Sequence, residues 1–476
     1  MKKIFSIFAI ALLISSCACN KDNDSVSEII DTNNQEQQDA ETGDAFPVAT
    51  GRNHVIYELN TGSFTTEGTF NAAGEKLQDL KDLGIDIVWL MPIYPRGGGI
   101  NSPYAATDFK ATNPQYGSIA DLKAFVSKAH TLGMEVWLDW VPNHTATDAK
   151  WVTSNPEYYK TKNGSMVHPN NYGDVYQLDY SNPDLAAAMT DCLKFWVDEA
   201  DVDGFRCDYV SSPEIPATYW AAAIPEVKNH KAGKTITFLA EGDLTNSNNR
   251  GLVTTGFEYD YAWDFQESGL YKTVGKGISG SSLQKVCESM LSATETIKPI
   301  TRMIYLTNHD QNYNDGGHLI SDIYGENVYP LTALIFTFKG MPLVYNGQEA
   351  GGKQILDYFN DTKIKWSDKD EKMFNIIKNI AKIKHSNPAL TEDAAIVVNK
   401  TDNSQTFAYT RGSGNNAVIT IINLGTSDIT VSVSGLTPGV YTTKYTGGSD
   451  IEQSSEKVAE TQSFTVAKKG FVVLAK

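Results

Sequence analysis

The chain has 476 residues, 41% hydrophobic and 20% charged, a composition suited to a globular protein and a length beyond what one compact core holds. Its formal net charge of −17 argues against nucleic acid, whose binding needs a Lys/Arg footprint, and suits a neutral ligand such as a sugar. The 23 Tyr, 19 Phe and 8 Trp belong mostly in cores, but aromatic rings also stack on sugars.

The N-terminus reads as a targeting segment over residues 1–17. Lys2 and Lys3 precede "IFSIFAIALLI", an apolar run too short to span a membrane. The run ends in "ISSC", which looks like a bacterial lipoprotein processing site with Cys17 as the lipidated residue. Residues 18–46 are polar, acidic and poor in large apolar side chains, the composition of a disordered tether. The expectation is an exported lipoprotein of the outer membrane, on the cell surface or facing the periplasm, touching the membrane only through its lipid. Cys192, Cys207 and Cys287 are odd in number and lack metal-ligand spacing, so no disulfide framework is expected.

Over residues 47–387 short apolar runs alternate with helical patterns. "HVIYELN" reads as a strand, and "EKLQDLKDLG" as a helix with Leu at helical spacing and Gly84 at its end. "IDIVWLMP" is the second strand. "IADLKAFVSKAHTLG" is a helix capped by Ser118, and "MEVWLDWVP" the third strand. An irregular, aromatic-rich insertion occupies about residues 142–181. "PDLAAAMTDCLKFWVDEA" resumes as helix, followed by strands in "VDGFRCD", "TITFLAE", "FEYDY", "MIYLTN" and "PLVYN". Eight strands alternating with helices predict a closed (β/α)8 TIM barrel, with a doubly wound open sheet as the alternative. No Gly-rich phosphate fingerprint follows the first strand to favour the open sheet. Residues 388–476 change texture. Six short strands separated by Gly, Asn, Ser and Pro predict a C-terminal antiparallel β-sandwich.

In a parallel barrel the active site lies at the C-terminal strand ends. There the third strand delivers "DWVPNH", the fourth "GFRCD", the fifth "AEGD" and the seventh "TNHD". Asp208, Glu241 and Asp310 thus arrive at equivalent places, with Arg206 on the same face of its strand as Asp208. A single carboxylate there commonly starts a loop or caps a helix. Three, with Arg206, His144 and His309 beside them, point to acid–base chemistry.

These four segments, in this order, resemble the signature motifs of the α-amylase family, glycoside hydrolase family 13. "SPYAATDFKATNPQYGS" and "GMPLVYNGQE" resemble two flanking motifs, and the resemblance runs from about residue 54 to the C-terminus. It implies a retaining hydrolase of α-1,4-glucosidic bonds in starch, maltodextrin or glycogen. Asp208 would be the nucleophile, Glu241 the general acid/base, and Asp310 the third carboxylate, holding sugar hydroxyls. It further implies Arg206, His144, His309, Tyr104 and Tyr57 around the reacting sugar, with Asp108 and Asp139 orienting them. The chemistry needs no cofactor. The resemblance implies a structural calcium through Asn143, whose acidic co-ligand falls on Gln177, with Asp174 or Asp179 nearby as substitutes.

The chain departs from the family after the nucleophile. Many relatives carry Lys-His three and four positions on, where this sequence has Ser211 and Ser212. That departure and the short insertion keep the first of two other readings in play, and the second rests on the existence of degenerate barrel relatives without catalysis. One is an α-1,6-acting or transglycosylating relative of oligo-1,6-glucosidase or cyclomaltodextrinase type. The other is a catalytically inactive surface glycan-binding lipoprotein.

Overall fold

A computed structural model describes residues 53–274, 277–314, 317–447 and 449–476. The leader with Cys17 and the tether lie outside the described residues. All eight expected strands form: Ile56–Leu59, Ile87–Leu90, Glu135–Trp140, Gly204–Cys207, Thr237–Ala240, Tyr259–Tyr261, Thr301–Ile304 and Met341–Tyr345. They close into a parallel barrel in chain order, the first strand pairing with the eighth through Tyr57 opposite Val344. A closed ring rules out the open-sheet alternative.

The helices lie where periodicity placed them. Leu77–Leu83 ends on Gly84, which adopts φ 94, a left-handed cap that favours glycine. Ile119–Thr131 starts with a capping box in which Ser118 and Asp121 satisfy each other's backbone N–H. Pro183–Glu199 carries Asn182 as N-cap, and Leu185, Met189, Leu193 and Trp196 make its buried stripe.

Side-chain alternation divides each barrel strand between two cores. Tyr57, Val88, Leu138, Phe205 and Phe238 face the helices, whereas Ile56, Ile87, Trp89, Trp137, Leu239 and Tyr261 fill the lumen. Gly204 is required by this packing. A Cβ there would lie 2.8 Å from the Trp137 indole and 2.6 Å from the Thr237 carbonyl oxygen. The glycine of "GFRCD" thus makes room for the large ring beneath Arg206.

The insertion after the third strand is small. His144–Ala146 pairs antiparallel with Val175–Gln177, and Thr161–Lys162 with Ser165–Met166. The C-terminal sandwich has eight antiparallel strands, two more than the sequence pattern suggested. Glu452–Val458 is an edge strand whose polar side chains hide the apolar alternation. Ile396–Thr401 pairs with 408–411 at one end and 433–434 at the other, so it turns between the layers and neither face is consistently buried. Between the layers lie Ile419, Ile421, Val431, Val433, Tyr441 and Leu474. The sandwich abuts the barrel through Phe338, whose ring meets Tyr409 edge-on at 5.1 Å. Among the described residues Cys192, Cys207 and Cys287 are buried free thiols, and no helix is long and apolar enough to cross a membrane.

Candidate active site

Arg206 is fully buried in the lumen, where an unpaired charge would cost several kcal/mol. Three carboxylates offset that cost. Nη1 lies 3.0 Å from Asp139 Oδ1 and 2.8 Å from Asp208 Oδ1, and Nη2 lies 2.5 Å from Glu241 Oε1. Nε donates to the Tyr261 hydroxyl at 3.2 Å. The guanidinium also sits over the rings of Trp89, Tyr261 and Tyr104 at 5.0, 5.6 and 5.8 Å. Burial opposes its charge, but the surrounding acids hold its pKa well above the ordinary arginine value.

Asp208 follows the fourth strand directly and Glu241 the fifth, as the strand pattern predicts. Asp310 sits differently. It lies in the first turn of a short helix, His309–Tyr313, whose N-cap Asn308 accepts from the Gln311 N–H at 3.0 Å. Its side chain is 40% exposed, against 9% for Glu241, so it is the most open of the three acids. Burial raises the Glu241 pKa well above the carboxylate range. Arg206 opposes that, and the charges of Asp208 and Asp310 reinforce it. Tyr209, at φ 45, occupies a left-handed backbone position uncommon for a large side chain. Its N–H donates to Glu241 Oε2 at 2.7 Å, which fixes the second carboxylate oxygen.

A relay of hydrogen bonds crosses the mouth of the barrel. His309 Nδ1 donates to Glu58 Oε1 at 2.5 Å, and Nε2 bonds the Tyr104 hydroxyl at 2.8 Å. Tyr104 donates onward to Asp139 Oδ2 at 3.3 Å, and Trp89 Nε1 donates to the same oxygen at 3.2 Å. Burial works against a charged His309, but Asp310 and Glu58 prevail and push its pKa up to about 9. Burial likewise pushes Asp139 up to about 7, with Arg206 opposing. His144 differs: burial lowers its pKa, which favours a neutral ring. Its Nε2 donates to the Tyr104 carbonyl oxygen at 3.2 Å, while Nδ1 accepts from Asn143 Nδ2 at 3.2 Å.

Asn143 does not present a calcium-binding oxygen set. Its backbone oxygen accepts from Gln177 Nε2 at 2.7 Å, and its Oδ1 accepts from Gln177 Nε2 at 3.1 Å and Ser212 Oγ at 2.7 Å. Donors thus occupy the oxygens that a hard cation would need. Asp179 does not replace the missing acid, because its Oδ1 caps the turn at Ser181. No cluster of three His, Cys, Asp or Glu suited to a metal occurs among the described residues. The residues present do not fit the calcium that the resemblance implied.

Two expected site residues are elsewhere. Tyr57 faces the helix layer, because its neighbour Glu58 takes the lumen side of the strand. Tyr57 is fully buried, donates to Glu349 Oε1 at 2.6 Å and packs edge-on against Phe64. Asp108 accepts from the Lys110 N–H at 2.9 Å and pairs with Lys150 at the base of the insertion, so its contacts do not run to the acid cluster.

Among the site residues that the sequence pattern did not single out, Glu58 and Tyr358 both contact His309. Glu58 lies in the apolar "VIYELN" strand, and strand alternation could have flagged a carboxylate aimed into the lumen. Tyr358 comes from the loop after the eighth strand and had no local signal. Its ring meets His309 at 5.6 Å and Tyr104 at 6.3 Å. Its hydroxyl donates to Asn314 Oδ1 at 3.1 Å, and Asn314 Nδ2 donates to Asp310 Oδ1 at 2.8 Å. Arg96 holds this loop by donating to the carbonyl oxygens of Tyr358 and Phe359, each at 3.2 Å, and to Asp361 at 2.8 Å.

Residues 31–177 and 170–395 match the α-amylase catalytic domain family. An α-amylase from Haloarcula japonica is 26% identical over 415 residues, covering 81% of this chain and 57% of that protein. A cyclomaltodextrin glucanotransferase from Bacillus sp. (strain 1-1) is 25% identical over 416 residues, covering 79% of this chain and 57% of that protein. The solved structure of a noncanonic maltogenic α-amylase from Thermotoga neapolitana is similar with a TM-score of 0.76 at 26% identity, covering 89% of this chain and 98% of that one. The chain spans less than two thirds of the length of these curated relatives.

Proposed function

Because this chain belongs to the α-amylase family, we propose that it is a retaining glycoside hydrolase of α-1,4-glucosidic bonds in starch, maltodextrin or glycogen. The observation that carries this reading is the guanidinium of Arg206 shared between Asp208 and Glu241. Two carboxylates on one cation are held close together. That favours the narrow spacing of about 5–5.5 Å used in double displacement over the wider one that admits a water between them.

In this reading Asp208 attacks the anomeric carbon, and its bond to Arg206 orients the carboxylate for that attack. Glu241, protonated because it is buried beside negative charge, gives its proton to the departing glycosidic oxygen. The bond to the leaving group breaks as the Asp208–glycosyl ester forms. Glu241, now ionised, takes a proton from water, whose oxygen attacks the same carbon and frees Asp208. Asp310 and charged His309 hold sugar hydroxyls, with Tyr104 as a platform beside them and neutral His144 at the edge. No step needs a cofactor.

The test is release of reducing ends from soluble starch. Asp208→Asn and Glu241→Gln should each abolish it, and substantial activity in either folded variant would sink the assignment. A second reading, transfer or α-1,6 action, is favoured by the rebuilt segment after Asp208 and by likeness to a glucanotransferase. Product profiles on amylose, pullulan and isomaltose separate the two. Hydrolysis of α-1,4 bonds predicts short maltooligosaccharides from amylose and little change in isomaltose.

We also propose export as a lipoprotein through Cys17, on the strength of the leader pattern. Incorporation of labelled palmitate that is lost in Cys17→Ala would support it, and an unlipidated mature protein would refute it.

A further inference from the structure

A groove of about 710 Å³ runs between the helix Leu77–Leu83 and the helix Glu371–Ser386, outside the barrel. Trp366 stands on its wall, 39% exposed. The ring is held in place. Its Nε1 donates to the Phe64 carbonyl oxygen at 2.9 Å, and its face meets the Phe64 ring edge-on at 5.5 Å and 89°. Phe374 lines the groove with it, with the Lys369 ammonium over its ring at 3.6 Å. Glu67 and Lys378 stand exposed at the rim.

We propose that this groove is a second binding site for an α-glucan chain, with Trp366 as its stacking platform. A pyranose presents an apolar C–H face and an equatorial belt of hydroxyls. A fixed, half-exposed indole flanked by a carboxylate and an ammonium matches both features. Because the ring is already immobilised, binding costs little side-chain entropy. An acidic polymer is disfavoured by the chain's net charge of −17. Position supports the same occupant. Trp366 and Tyr358 lie on one loop, tied to the short helix Thr61–Phe64 by the bond from Ile364 N–H to the Ser63 carbonyl oxygen at 3.1 Å. One end of that loop touches His309 in the candidate active site and the other walls the groove. A polymer resting on Trp366 therefore lies against the same loop that carries Tyr358 to the site. The inference rests on the α-glucan reading above.

The test is affinity electrophoresis of the whole chain in gels containing glycogen, run in a Glu241→Gln background so that the polymer is not consumed. Trp366→Ala should weaken retardation roughly tenfold, the scale of one lost aromatic platform. Glu67→Ala with Lys378→Ala, a surface change that leaves the core intact, should weaken it in the same direction. In the active protein, Trp366→Ala should leave kcat/KM on a nitrophenyl maltotrioside within about twofold. Retardation by glycogen unchanged in both variants would overturn the proposal. So would an equal loss on the short substrate, which would put Trp366 in the cleft, or a dimer that Trp366→Ala dissociates, which would make the groove a self-interface. Failure of the unsubstituted protein to act on any α-glucan would instead overturn the functional reading, and glycogen retardation would still report on the groove.

Discussion

Glu58 reaches across the barrel mouth from the first strand and accepts the Nδ1–H of His309 at 2.5 Å, a contact between residues 251 positions apart. Together with Asp310 it overcomes burial and lifts the His309 pKa to about 9. A raised pKa in the folded state means that the folded chain holds the proton more tightly. The stabilisation is complete below the unfolded histidine value near 6.5 and is lost as pH rises through about 9. Glu58→Gln keeps an acceptor but removes the charge. It should cost most stability at pH 6 and least above pH 9, and should move the alkaline limb of kcat/KM down by about one unit. Unfolding curves and rate profiles across pH check both, and an unmoved limb would show that His309 charge does not govern the rate.

Glu241→Gln separates proton donation from nucleophilic attack. The amide cannot donate a proton as an acid, so hydrolysis of ordinary maltooligosaccharides should fall by about 10²–10⁴. A maltosyl fluoride, whose leaving group needs no proton, should still form the glycosyl-enzyme at a rate close to that of the unsubstituted protein. Burst kinetics with the fluoride check this. Equal losses on both substrates would assign Glu241 another role.

The knot of Asn143, Gln177 and Ser212 predicts that no calcium holds the insertion to the barrel. Chelation by EDTA should leave Tm unchanged. Ser212→Ala removes the bond to Asn143 Oδ1 and should cost about 1 kcal/mol. Calorimetry with and without EDTA reads both, and a Tm that falls on chelation would mean that the knot yields to a cation.

Lys384 is buried beneath the barrel, where its Nζ donates to the Leu390 carbonyl oxygen at 3.1 Å. Burial, helped by the neighbouring Arg411 charge and opposed by Glu392 and Asp86, pushes its pKa down to about 7. With a depressed folded value, the unfolded chain binds more protons between about pH 7 and the free lysine value near 10.4, so stability rises with pH across that window. Lys384→Met removes the charge and keeps the stem. It should raise Tm most at pH 6 and progressively less toward pH 10. A uniform shift across pH would locate the effect in packing alone.

The fold was legible because the barrel writes itself as a local alternation. Each strand is a short apolar run, each helix a stripe with its cap, and "GFRCD", "AEGD" and "TNHD" place acids at or after strand ends. The two sandwich strands that were missed show the limit. Glu452–Val458 forms through backbone ladder bonds at a sheet edge, which demand little of its side chains. The site was legible to the same depth. Arg206, Asp208, Glu241, Asp139, Tyr104 and His309 are joined by direct contacts, while Tyr57 and Asp108 are not among them.

The sequence by itself therefore determined the eight alternating strands and helices and the acids that follow three of the strands, since each depends on residues close together along the chain. Closure of the first strand on the eighth was decided by the tertiary structure. Only the tertiary structure decided which face of the first strand looks inward, and so that Glu58 rather than Tyr57 meets the site. It alone showed that Gln177 and Ser212 close upon Asn143, and that the loop bearing Tyr358 and Trp366 spans from the acids to an outer groove. Those facts depend on contacts between distant segments, and a linear pattern carries no record of which side chains the closed ring brings within 3 Å of one another.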